Sequence, residues 1–105
     1  MEQEKIQEMQ MTEQTLQNLL MQKQSFQMEF SEAESALNAI ESSGDEVFKI
    51  IGQLMIKSEK EKVKEELESK KKMLELRLKT MESQESALTE QLERLREEIM
   101  KTAKK

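Results

Sequence analysis

The chain has 105 residues and a net charge of −5; 37% of its residues are charged, 35% hydrophobic and 3% aromatic. It contains no Pro, Trp, Tyr, Cys or His and only two glycines, Gly44 and Gly52. That inventory excludes zinc sites of the usual kind, Ser–His and Cys–His nucleophilic pairs and Gly-rich phosphate loops. No catalytic, metal or cofactor site is therefore expected, and the many carboxylates read as solvated helix surface rather than as acid–base pairs.

The acidic balance argues against nucleic acid as a partner, and the lysines at 70–72 sit among glutamates as a solvated face. No apolar run approaches the roughly 20 residues of a membrane span. The opening "MEQEKIQEMQ" lacks the basic region and apolar run of a signal peptide. A soluble, cytoplasmic protein of one domain is expected. A compact globule does not suit so few large apolar side chains, whereas the abundance of Glu, Lys, Leu, Met, Gln and Ala suits long helices.

The first helix is predicted over about residues 2–43. From Met9 onward apolar side chains recur in two heptad series: Met9, Leu16, Lys23, Phe30, Leu37, and Thr12, Leu19, Phe26, Ala33, Ile40. The alternating spacing of four and three is a coiled-coil seam, and eight of these ten positions are apolar. "IESSGDE" then reads as a stop, with Gly44 able to close the helix in the left-handed conformation.

A β-hairpin is predicted next, over about residues 46–57. "EVFKII" and "LMIK" are rich in strand-forming residues and flank "GQ". Gly52 suits the first central position of a type II′ turn, with Gln53 second. That turn pairs Ile51 with Leu54, Ile50 with Met55, Lys49 with Ile56 and Phe48 with Lys57. Val47, Ile51, Leu54 and Ile56 then share one face, while Phe48, Ile50 and Met55 share the other. Both faces are apolar. The helix ends can cover one, and the other is left in water. An isolated two-stranded hairpin is marginal and its edges stay unpaired, so Val47, Phe48, Ile50, Ile51, Gly52, Leu54, Met55 and Ile56 are expected to assemble with other subunits.

The second helix is predicted over about 59–103. "SEKE" places Ser58 and Glu61 as a capping box at its start. The heptads resume as Leu67, Leu74, Met81, Leu88, Leu95 and as Lys71, Leu78, Glu85, Leu92, Ile99. Laid antiparallel with Leu37 opposite Leu67, the seams place Phe30 opposite Leu74, Leu16 opposite Leu88 and Met9 opposite Leu95. The polar interruptions then coincide: Lys23 faces Met81 and lies one layer from Glu85, close enough to pair. Such a pair costs stability and fixes register. At 1.5 Å per residue each helix is on the order of 60 Å long.

A long helix, the hairpin "VFKIIGQLMIK" and a long returning helix resemble the β-class subunit of prefoldin, most nearly the archaeal form. The likeness rests on Glu46, Phe48 and Lys49, then Gly52, then Leu54, Met55, Ile56 and Lys57, then the Lys/Glu-rich helix start. "QEMQMTEQTLQNLLMQKQ" and "LELRLKTMESQE" carry it along the two arms. It covers almost the whole chain, which then forms a single prefoldin-like domain over 1–105, and the one hairpin matches the β class rather than the two-hairpin α class.

The resemblance implies a chaperone without ATPase activity. In that family two α-class and four β-class subunits join their hairpins into a β-barrel platform, and six coiled-coil arms hold unfolded chains at their tips and pass them to a group II chaperonin. With the hairpin as platform, both termini lie at the tip. The expected client contacts are then Ile6, Met9, Met11, Leu95, Ile99 and Met100, with Met21, Met28 and Met73 as extensions along the inner wall. Methionine adapts to varied apolar surfaces, and weak contacts sum over several arms. The rival readings are a structural antiparallel coiled-coil scaffold, which has no need of an apolar hairpin, and a homo-oligomeric or filamentous assembly of the same subunit type.

Overall fold

The computed structural model describes residues 2–103. Their order is α1 (Glu2–Glu41), β1 (Glu46–Ile51), β2 (Leu54–Glu59) and α2 (Lys60–Ala103). The strands form a two-stranded antiparallel sheet. No helix among the described residues is long and apolar enough to cross a membrane.

The chain divides into two units: the described residues up to Ser25 together with those from Leu78 onward, and Phe26–Arg77. All twenty heptad positions named above are buried or half-buried, so the seam faces inward in both units. In the unit holding the chain ends, Leu19, Met81, Leu92 and Leu95 are buried. Lys5 reaches Glu98 at 3.5 Å. The Gln91 side-chain amide donates to the buried Thr12 hydroxyl at 3.4 Å, and that hydroxyl donates to the Glu8 carbonyl at 2.8 Å. A threonine fits the seam because both partners satisfy its hydroxyl.

In the unit carrying the hairpin, Ala33, Ile40 and Leu74 are buried, Leu74 almost completely at 1% exposure. Lys71 occupies a heptad position without burying its charge. Its stem lies in the seam while Nζ sits 5.5 Å from the Phe30 ring centroid and 3.7 Å from Glu34. Arg77 makes the same use of Phe26, at 5.6 Å.

The strand register is the one expected from the turn: Ile51 opposite Leu54, Ile50 opposite Met55, Lys49 opposite Ile56 and Phe48 opposite Lys57. Gly52 has φ of 59°, and no non-glycine residue has positive φ among those described. A positive φ at the first central position alone fits type II′ and excludes type I′.

Two expectations about element ends are corrected. Gly44 does not adopt positive φ. Instead α1 closes through Ser43, whose N–H donates to the Ile40 carbonyl at 3.2 Å and whose hydroxyl donates to the same oxygen at 2.8 Å. The Lys60 ammonium then takes the Ser43 carbonyl at 2.9 Å. These partners satisfy exposed carbonyls at the helix end, so a left-handed residue is not required. Nor does Ser58 form the expected capping box with Glu61, nor does α2 begin at Glu59. The ladder continues past Lys57 to pair Val47 with Ser58 and Glu46 with Glu59, and the Ser58 hydroxyl donates to the Ile56 carbonyl at 3.3 Å. Strand pairing outcompetes the cap, and α2 begins at Lys60 with Glu61 in its first turn, where the helix dipole favours an acid.

Candidate functional site

Strand alternation decides which hairpin side chains meet the helices. Val47 and Lys49 are half-buried on one face, and that face is anchored at its base. Lys49 Nζ donates to Glu66 Oε2 at 2.6 Å, and this hydrogen bond holds the Glu66 carboxyl below its ordinary range. Val47 and Phe48 also line a shallow hollow of about 390 Å³ with Ala36, Ala39, Val63 and Leu67. Two alanines on α1 leave this space, because a longer side chain at either position would fill it.

Beyond the base the hairpin is uncovered. Phe48, Ile50, Ile51, Leu54, Met55 and Ile56 are 43–70% exposed. The exposed set includes Phe48, Ile50 and Met55 from one face and Ile51, Leu54 and Ile56 from the other. Six contiguous large apolar side chains on both sides of one hairpin form a patch of the kind that marks an interaction surface. The charges beside it are few; Lys57 lies 3.6 Å from Glu46 at the rim.

At the helix ends the expected client contacts fall into two groups. Ile6, Met11 and Met100 are exposed. Met9 and Ile99 are half-buried, and Leu95, at 6% exposure, is part of the seam. The Lys5–Glu98 pair places these two helix ends side by side. Met21, Met28 and Met73 are all exposed.

The polar seam pair is present: Lys23 Nζ donates to Glu85 Oε2 at 2.8 Å and lies 4.0 Å from Glu82. The hydrogen bond to Glu85, supported by the charges of Glu85 and Glu82, raises the Lys23 pKa against an opposing desolvation. Gln91 is a partner of Thr12 that the heptad pattern does not mark: in the antiparallel register Thr12 faces Leu92, and Gln91 is the residue before it. Among the described residues no group of His, Cys, Asp and Glu is arranged to hold a metal ion.

Comparison with known proteins gives a consistent family. Residues 3–105 match the family described as prefoldin subunit. A curated relative, prefoldin subunit beta of Thermococcus kodakarensis, is 44% identical over 52 residues, which cover 48% of this chain and 44% of the relative's length. The match therefore spans less than half of that curated relative. The crystal structure of the prefoldin beta subunit from Thermococcus strain KS-1 superposes with a TM-score of 0.87 at 38% identity, over 96% of this chain and 90% of that one.

Proposed function

The chain belongs to the prefoldin subunit family, a family of non-enzymatic chaperone components, and on that premise we propose that it is a β-class subunit of an ATP-independent holding chaperone. In this reading the hairpins of several subunits close a β-barrel platform, with two α-class and four β-class chains. The helix ends hold unfolded polypeptides and deliver them to a group II chaperonin in the cytoplasm.

The observation that carries the reading is the bare hairpin. Its six large apolar side chains are exposed on both faces, and both strand edges lack neighbours among the described residues. Water is a poor solvent for such a surface, and a second hairpin supplies both apolar contact and ladder hydrogen bonds. A scaffold that only spaces its ends has no use for it.

Holding is assigned to the helix ends because Ile6 and Met100 expose apolar side chains there. Removing the first ten and last ten residues tests this. The truncated assembly is expected to contain as many subunits as that of the full chain, measured by light scattering, and to suppress aggregation of a denatured protein less well. Undiminished suppression places client contact elsewhere on the subunit.

A further inference from the structure

In the unit that holds the chain ends, the two helices present very different outer walls. On α2 the exposed residues between Leu78 and Leu95 include Lys79, Glu82, Glu90, Glu93 and Arg94. On α1 between Met9 and Ser25 the only exposed charge is Glu13, because Lys23 is turned into the seam toward Glu85. The outer side of a coiled coil is ordinarily its most charged part, and this chain is 37% charged overall. The residues of α1 that point away from α2 are instead amides and methionines: Gln10, Met11, Gln14, Gln17, Asn18 and Met21, all exposed.

From this asymmetry we infer that the outer wall of α1 is a second contact surface for unfolded polypeptide, one that reads backbone amides and apolar side chains and ignores client charge. The inference rests on the holding function proposed above. Carboxamide side chains donate and accept hydrogen bonds, as do the peptide groups that an unfolded chain exposes. Met11 and Met21, 72% and 71% exposed, supply flexible apolar contact between them. With one exposed charge, the wall neither attracts nor repels a client by sign. A second copy of the chain is a poorer occupant. Met11 and Met21 have a heptad spacing, but the two heptad positions between them are the amides Gln14 and Asn18, which hydrogen-bond to each other at 3.2 Å, so no apolar seam runs along the wall for a second coiled coil. Two such side chains also fall far short of the roughly 800 Å² per partner of a stable interface. Weak contact suits a holdase, because it is multiplied over several arms.

The test compares four proteins in the assembled state: the natural chain, a wall variant Gln17→Glu/Met21→Lys, a conservative variant Met21→Leu, and an end variant Ile6→Gln/Met100→Gln. The wall substitutions keep the net charge, use good helix formers and add a favourable i,i+4 pair. An unchanged thermal melt and assembly mass are therefore expected. The probes are reduced, carbamidomethylated α-lactalbumin, which is acidic, and lysozyme treated in the same way, which is basic. The wall variant is expected to bind both probes at least about threefold more weakly, and the natural chain to lose less than about twofold in affinity from low to high salt. Met21→Leu, which keeps an apolar side chain, is expected to bind as the natural chain does. Undiminished binding of both probes by the wall variant overturns the inference, as does a loss confined to one probe. A changed assembly mass assigns the wall to another copy and overturns it too. The end variant is read separately: its failure to weaken binding counts against the helix ends as the holding site and leaves the wall standing.

Discussion

Lys23 shows how a single polar residue is accommodated at a seam position. Its side chain is 18% exposed, and its ammonium is held by Glu85 at 2.8 Å with Glu82 beyond. Reversing its charge puts a third carboxylate among these two. Lys23→Glu is expected to lower the thermal midpoint by several degrees, and Lys23→Glu/Glu85→Lys to recover part of the loss. Melts of the four proteins by circular dichroism give the coupling, and independent effects would show that the pair contributes nothing to register. The pH dependence follows from the raised lysine. Its contribution is complete below the ordinary value of 10.5 and is lost as pH rises through the higher value in the folded chain. The coupling should therefore be present at neutral pH and fall as the solution is made alkaline beyond that value.

At the scale of the element, the two glycines separate by conformation rather than by space. A Cβ added at either meets nothing within 4 Å, but only Gly52 has positive φ. Gly52→Ala is expected to destabilise the hairpin by about 1 kcal/mol, the cost of holding an L-residue in that region. Gly44→Ala should be neutral or slightly stabilising, because it narrows the unfolded ensemble without straining the fold. Hydrogen exchange of the strand amides distinguishes them, and equal effects would remove Gly52's backbone role. The element ends also mark where local signals lost. Ser58 and Glu61 form a good capping box on paper, yet two more rungs of antiparallel ladder are available at Ser58 and Glu59. A cap is decided by one or two hydrogen bonds, and the ladder supplies a competing set.

For the whole molecule, the decisive quantity is apolar surface that the single chain leaves in water. Phe48→Glu/Met55→Glu places two charges on one hairpin face, where burial against a neighbour would desolvate them. The variant is expected to sediment as a species of lower mass than the natural chain while keeping its helical circular dichroism. Retention of the full mass would move assembly away from the hairpin. The seam should not respond, because the helices bury their own heptads in each unit and ask nothing of a neighbour.

The sequence by itself determined the two helices, the seam and the hairpin register. These depend on periodicity and on one glycine, both of which are local and repeated: an error at one heptad position is outvoted by the others, and a two-residue turn leaves one pairing. It also marked Lys23 and Glu85 as partners, since an antiparallel register brings the two interruptions together. Only the tertiary structure decided how α1 ends, with Lys60 reaching back to Ser43, how Lys71 escapes the seam over Phe30, and which expected client contacts are open. Leu95 and Met100 look alike as apolar residues near a helix end, but one closes the seam and the other faces water. Exposure belongs to the packed pair of helices, and no spacing within one helix states it for each residue.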